Sequence, residues 1–140
     1  MSVTLLDGGM GQELIARCKG EPTGLWATQV MLDEPELVRA IHDDYFAAGA
    51  DIATTNTYGL HRDRLIPNGL NDQFEDLHRI ACRMAREARD AAGSGRVAGA
   101  LGPLGWSYSH DGAPPKEEGA ALFAEICEIQ APLVDLVPIE

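Results

Sequence analysis

Val3-Thr4-Leu5-Leu6-Asp7-Gly8-Gly9-Met10-Gly11 passes from an apolar run through a carboxylate into glycines. The pattern returns twice in altered form. Asp51-Ile52-Ala53-Thr54-Thr55-Asn56-Thr57 begins apolar and turns polar, and Val97-Ala98-Gly99-Ala100-Leu101-Gly102-Pro103 is an apolar run closed by Gly-Pro. Strands that are apolar along their length and polar or glycine-rich at their carboxyl ends belong to parallel α/β proteins. There the chemistry gathers at the carboxyl edge of the sheet.

Outward from these runs, the first strand is expected at Val3 to Leu6, followed by a glycine-rich turn and an irregular stretch through Gly24. Asp33 is placed to cap a helix, with Pro35 in its first turn and Glu36 completing a capping box. Leu37, Ile41, Tyr45 and Ala48 recur at helical spacing until Gly49 stops the helix. Strand two is expected at Asp51 to Thr55. Asp72 with Glu75 repeats the capping box, and Phe74, Leu77, Ile80, Ala81, Met84 and Ala88 build the stripe of a helix running toward Gly93. Strand three is expected at Val97 to Leu101, with a loop from Gly102 to Pro115. A helix over Lys116 to Gln130 carries Leu122, Phe123, Ile126 and Ile129, and Leu133 to Ile139 reads as strand four, ending on Glu140.

The order β-α-β-α-β-α-β joins every strand pair by a helical crossover, so the sheet is expected to be parallel with right-handed connections. An open doubly wound sheet and the first half of a TIM (β/α)8 barrel both satisfy it. A barrel needs about 250 residues, and this chain has 140. It stops on a strand with no covering helix, which predicts an exposed sheet edge and the look of a truncated barrel.

A hydrophobic content of 45% and a charged content of 24% are ordinary globular values. The net charge of -11 argues against a nucleic-acid-binding surface. Cys18, Cys82 and Cys127 are odd in number and form no Cys-x-x-Cys pair, which fits a reducing compartment rather than a disulfide framework. Asp7 interrupts the first apolar stretch too early for a signal segment, and no stretch of about 18 apolar residues exists. A cytoplasmic protein without a membrane partner is the expectation.

Gly8-Gly9-Met10-Gly11 invites a nucleotide reading that fails on spacing. Leu14 stands where a dinucleotide fingerprint needs glycine, and no phosphate-loop Lys follows. The glycines read as a tight turn with positive φ, or as a place where a ligand approaches the backbone beside Asp7. Asp7 either caps that turn or meets a ligand ammonium group, because an ionised carboxylate is costly to bury alone. Thr54, Thr55, Asn56 and Thr57 offer neutral donors and acceptors suited to an amino-acid ligand, although threonine is also a good strand residue. Glu140 would join Asp7 at the same rim, unless it is a frayed end. Trp26, Trp106, Tyr58 and Tyr108 fall in or near the same loops. His42, His61, His78 and His110 show no ligand spacing and are expected on the surface. Cys82 and Cys127 read as small core residues. An unrelated open-sheet phosphate binder remains a rival; it predicts anion binding at Gly8 to Gly11, which Asp7 should repel.

At Leu5-Leu6-Asp7-Gly8-Gly9-Met10-Gly11, Leu25-Trp26-Ala27, Thr54-Asn56-Thr57-Tyr58, Gly102-Pro103-Leu104-Gly105 and Val134-Asp135-Leu136 through Ile139-Glu140, the chain resembles the homocysteine S-methyltransferase family. The resemblance covers the whole chain in order. It implies a single partial homocysteine-binding barrel domain over residues 1–140. The implied activity is methyl transfer to the thiol of homocysteine, giving methionine. The family's donors are S-methylmethionine, S-adenosylmethionine, betaine or a methylated corrinoid. It also implies substrate-binding roles for Asp7, Gly8, Gly9, Thr54, Asn56, Thr57 and Glu140, with the two carboxylates on the amino group.

In that family a zinc ion held by three cysteines activates the thiol. Those cysteines belong to later strands, and Cys18, Cys82 and Cys127 match none of them. Pro138 also replaces an aliphatic residue of the family, which is awkward inside a closed barrel. The resemblance therefore implies the substrate-positioning half of a site, without the metal and without catalysis by this chain alone. The competing expectation is a non-catalytic member that pairs its open sheet edges with a second copy.

Overall fold

The computed structural model describes residues 3–20, 24–105, 107 and 111–138. Helices α1 (Met10–Arg17), α2 (Ala27–Asp33) and α3 (Pro35–Ala47) precede strand β1 (Ile52–Thr54). A short helix α4 (Arg62–Leu65) and two 3-10 turns lead into α5 (Phe74–Ala92), then strand β2 (Arg96–Ala98) and α6 (Lys116–Gln130). Strands β1 and β2 pair in parallel with Ile52 opposite Arg96 and Thr54 opposite Ala98. Single parallel bridges add a segment on each side, Leu6 to Ile52 and Ala98 to Leu136. The result is an α/β fold with a small parallel sheet whose connections run through helices, as parallel pairing requires. The described residues do not by themselves trace half of a barrel.

The strands are shorter than expected, and the reason is local. Thr55 N–H still donates to Ala98 O, but the N–H and C=O of Ala100 are taken by threonine hydroxyls instead of a neighbouring strand. Val3 to Leu6 contributes one bridge, and of Leu133 to Ile139 only Leu136 is bridged; Ile139 lies outside the described residues.

The two outer pairings repeat one another. Leu5 N–H donates to Asp51 Oδ2 while Asp51 N–H donates to Leu5 O, and Val97 with Asp135 does the same at 2.7 and 2.8 Å. Asp7 N–H then reaches Ile52 O as Gly99 N–H reaches Leu136 O. Next in this frame, Thr54 donates its N–H to Asp7 Oδ2. Its counterpart is Pro138, which has no N–H, opposite Gly99, which has no carboxylate. The proline therefore costs no hydrogen bond at that position.

Helices α3, α5 and α6 fall where the periodicity puts them, but their caps do not. Asp33 ends α2 and accepts from Gln29 Nε2 at 2.9 Å, leaving Glu34 as the N-cap of α3 with its carboxylate on Lys19 N–H rather than on the helix amides. Asp72 lies in a 3-10 turn and Glu75 pairs with Arg79, so no capping box forms at α5. Gly93, at φ +76°, does terminate α5. Helix α1 occupies much of the stretch expected to be irregular through Gly24, and α2 fills residues between that stretch and α3. Leu14 of α1 is fully buried and joins Val38, Ile41, Phe74, Leu77, Met84, Leu101 and Ile126 in the core, where α3 packs chiefly on α5. No helix among the described residues is long and apolar enough to cross a membrane.

Candidate functional site

Asp7 follows the Leu6 bridge at the carboxyl end of its segment, and Thr54 closes β1 beside it. The carboxylate accepts from Thr54 N at 2.7 Å through Oδ2 and from Thr54 Oγ1 at 2.8 Å through Oδ1. Partial burial pushes the Asp7 carboxyl up, while the Thr54 donors pull against that rise. No cationic side chain among the described residues pairs with it. Each oxygen retains a free lone pair, because a carboxylate offers about four acceptor positions. The arrangement is a half-desolvated anion that two neutral donors steady without neutralising.

The glycines beside it work differently from the expected positive-φ turn. Gly8, Gly9 and Gly11 are absent from the residues with positive φ. Gly8 is needed for space: a Cβ there would lie 2.7 Å from the Tyr45 hydroxyl. Gly9 is the N-cap of α1, at φ -70°, with no side-chain cap. The opening amides of α1 therefore receive no N-cap side chain, and they form the positive end of the helix dipole. They were missed in the sequence because α1 is too short to show a period.

The polar residues after β1 divide into two groups. Thr54 meets Asp7. Asn56 and Thr57 are buried and turned to the frame: Asn56 Nδ2 donates to Ala27 O at 3.1 Å, and Thr57 Oγ1 donates to Ala100 O at 2.8 Å. Since Thr57 spends its only proton there, Thr55 Oγ1 donates to Thr57 Oγ1 at 2.8 Å and accepts from Ala100 N at 3.1 Å. The four groups close a ring. Glu140 lies outside the described residues, as do Trp106, Tyr108 and His110.

Asn56 ties the rim to the start of α2, where Trp26 holds φ +45° and ψ -119° and leaves half of its surface exposed (51%). That backbone conformation is costly for a non-glycine residue. On the far side of the rim, Arg64 donates to Pro103 O and Gly105 O, Asp63 accepts from Gly105 N at 2.8 Å, and Tyr58 Oη meets Ser107 Oγ at 3.0 Å. Gly102 is confined in this loop, for a Cβ would lie 2.4 Å from the Tyr58 carbonyl oxygen. Gly102→Ala must move backbone, and a loss of about 1–3 kcal/mol is expected. Chemical denaturation checks it; an unchanged midpoint contradicts the contact.

Three histidines expected on the surface are buried: His42, His61 and His78. His61 lies edge-on to Phe123, with ring centroids 6.0 Å apart. Burial pushes His42 and His78 down to about 4, so both are neutral at pH 7. Cys82 is buried, its thiol pushed up to about 11, and Cys127 packs against the core. Among the described residues no group of three or more His, Cys, Asp or Glu side chains is placed to hold a metal ion.

A protein-family profile described as Homocysteine S-methyltransferase matches residues 4–140. The Homocysteine S-methyltransferase of Escherichia coli (strain K12) is 38% identical over 119 residues, covering 79% of this chain and 38% of that protein. Homocysteine S-methyltransferase YbgG of Bacillus subtilis (strain 168) is 32% identical over 139 residues, covering 91% of this chain and 44% of that protein. Among solved structures, the metallated form of the homocysteine methyltransferase MmuM from Escherichia coli covers 100% of this chain at a TM-score of 0.88 and 32% identity. The match takes in 54% of that chain. This chain thus spans about half the length of the proteins it matches, or less.

Proposed function

Because the chain belongs to the homocysteine S-methyltransferase family, we propose that it forms the first half of a (β/α)8 barrel and supplies the amino-acid-binding side of a methyl-transfer site. Asp7 receives the ammonium group of homocysteine, with Glu140 as a second carboxylate. The opening amides of α1, beyond Gly8 and Gly9, receive its carboxylate. A zwitterion satisfies both poles of the turn at once, whereas a phosphate would meet the Asp7 charge. Thr54, Asn56 and Thr57 shape the rim, Thr54 by steadying Asp7 and the other two by fixing the backbone.

The reaction in which this half takes part is attack by the homocysteine sulfur on a methyl carbon carried by a sulfonium, an ammonium or another activated donor. The thiol proton is lost to solvent, the new S–C bond forms as the old bond to the methyl carbon breaks, and the electron pair of the broken bond leaves with the donor. The family's zinc does not fit these residues. Cys18 follows α1, Cys82 lies on α5 and Cys127 on α6, and no group of three or more possible ligands stands together among the described residues. Thiol activation therefore lies outside what these residues do, and methyl transfer by the chain alone is not expected.

The observation that carries this reading is the half-buried Asp7 carboxylate, held by Thr54 and unpaired with any described cation. Calorimetric titration tests it with two ligands, L-homocysteine and 4-mercaptobutanoate, which lacks only the ammonium group. Homocysteine should bind without added zinc and the deaminated analogue should not. Equal binding of the two, or binding of homocysteine that needs zinc, overturns it.

A specific observation favours a second reading, a non-catalytic member that self-associates. Val3, Leu5 and Leu6 leave 87%, 52% and 59% of their surface exposed along one sheet edge. Sedimentation equilibrium separates the two: a dimer abolished by Leu5→Lys supports association through that edge, and a monomer removes it.

A further inference from the structure

Beneath the rim, a line of buried polar groups joins two helices to the site. His78 of α5 and Gln130 of α6 are fully buried. His78 Nε2 lies 2.9 Å from Leu60 O and must donate to it, because a carbonyl oxygen only accepts. The neutral ring then accepts at Nδ1, 3.1 Å from Gln130 Nε2. The same Gln130 Nε2 also donates to Ala100 O at 3.4 Å. Turned over, the amide would aim its oxygen at two acceptors, so the contacts fix its orientation.

Ala100 O is the oxygen that also accepts from Thr57, and Leu60 N–H donates to Thr57 O at 3.0 Å. The turn over residues 55–60 is therefore clasped at both ends. Its threonines hold Ala98 and Ala100, at and just past the end of β2, and its Leu60 carbonyl is held by His78, which Gln130 connects back to Ala100. Gly99 leaves room for this: a Cβ there would lie 2.1 Å from Gln130 Oε1. Burying so many polar groups is unfavourable unless they bond one another; His78 uses both ring nitrogens and Gln130 its amide nitrogen, while Gln130 Oε1 has no partner among the described residues.

We infer that His78 and Gln130 are positioning residues for the amino-acid rim: from α5 and α6 they lock the 55–60 turn to the end of β2 and so hold Thr54 against Asp7. The inference rests on the reading of Asp7 and Thr54 as a homocysteine-binding pair. Neither residue touches the ligand. Both act through backbone carbonyls, and their removal leaves Asp7, Thr54 and the start of α1 chemically intact.

The test uses the full chain with His78→Leu, which removes both bonds, His78→Gln, which can keep a donor near Leu60 O, and Gln130→Met. Affinity for L-homocysteine is measured well below the melting temperature of each variant, beside amide hydrogen exchange at Leu60 and Ala100. His78→Leu and Gln130→Met should each raise Kd about tenfold, the effect of losing one buried hydrogen bond's worth of placement. They should also speed exchange at Leu60 and Ala100 without changing it at Ile41 of α3. His78→Gln should recover most of the affinity. A Kd within twofold of the original chain in a folded variant, with only the melting temperature lowered, overturns the inference and leaves a purely structural pair. If His78→Leu does not fold, Gln130→Met decides by the same criteria. If the unaltered chain fails to bind homocysteine, the functional reading falls by itself. Exchange at Leu60 and Ala100 then judges the clasp, and unchanged rates in Gln130→Met end it.

Discussion

Asp7→Ala should remove homocysteine binding to the limit of detection, a loss of at least tenfold, while leaving the chain folded. The carboxylate is the group at this turn with a negative charge to set against the ligand ammonium, and it lies where water is partly excluded. Hydrogen bonds to charged groups in such places contribute about 1.5–3 kcal/mol, and every 1.4 kcal/mol is about tenfold in affinity. The variant also frees Thr54 N–H and Oγ1, but Thr54 is only partly buried and water can replace the lost acceptor. Asp7→Asn separates charge from shape. It keeps an oxygen for Thr54 N–H yet cannot neutralise an ammonium group, so its affinity should resemble that of the alanine variant. Titration calorimetry on both, with melting curves beside them, decides the matter. An asparagine variant that binds as well as the original chain would show that charge is not what Asp7 contributes.

The second large effect is acid unfolding below pH 6. His42 and His78 are fully buried, and burial holds both at about 4 against an ordinary 6.5. The unfolded chain binds these protons first, so their stabilising contribution is complete above pH 6.5 and declines as the pH falls toward 4. At about 1.36 kcal/mol per pH unit, that gap corresponds to about 3 kcal/mol for each imidazole. Typical domains have about 5–15 kcal/mol in total, so these two residues together remove a large share of it. Glu125 adds in the same direction, since the Arg62 guanidinium holds its carboxyl low and that pair is lost on acidification. Asp7, pushed upward, opposes the trend.

His42 offers the cleaner test. Both of its ring nitrogens lack a hydrogen-bond partner among the described residues, with Asp43 and Arg39 the nearby charges acting on it. Leucine removes the titration without breaking a bond. Urea unfolding at pH 7, 6, 5 and 4 should show His42→Leu at least as stable as the original chain at pH 7 and visibly less sensitive to acid. Parallel pH curves for the two proteins would refute the assignment.

The parallel pairing of the strands and the place of their polar edge are legible in the sequence. Apolar runs ending in Asp7, Thr54 and Gly102 announced a parallel sheet with one polar edge, and hydrophobic spacing located α3, α5 and α6 almost to the residue. Both signals are local, because backbone pairing and helical period act on neighbouring residues. Helix α1 escaped because eight residues show barely two turns; it is helical because Leu14 finds a core to enter. The expected caps failed for a related reason. Asp33 could serve either the helix ahead of it or Gln29 behind it, and composition alone does not rank the two.

By itself, then, the sequence determined an α/β chain with a carboxylate and a run of hydroxyls at one edge of a parallel sheet. Only the tertiary structure decided which of those groups are spent on which other parts of the chain. Thr57 and Thr54 look alike in sequence, yet one gives its proton to Ala100, 43 residues away, and the other steadies Asp7, 47 residues away. The same holds for the histidines, whose lack of any ligand spacing reads as a solvated surface, whereas the fold buries His42, His61 and His78. A side chain's type is written in the chain, but its hydrogen-bond partner and its exposure to water depend on which distant segment folds against it.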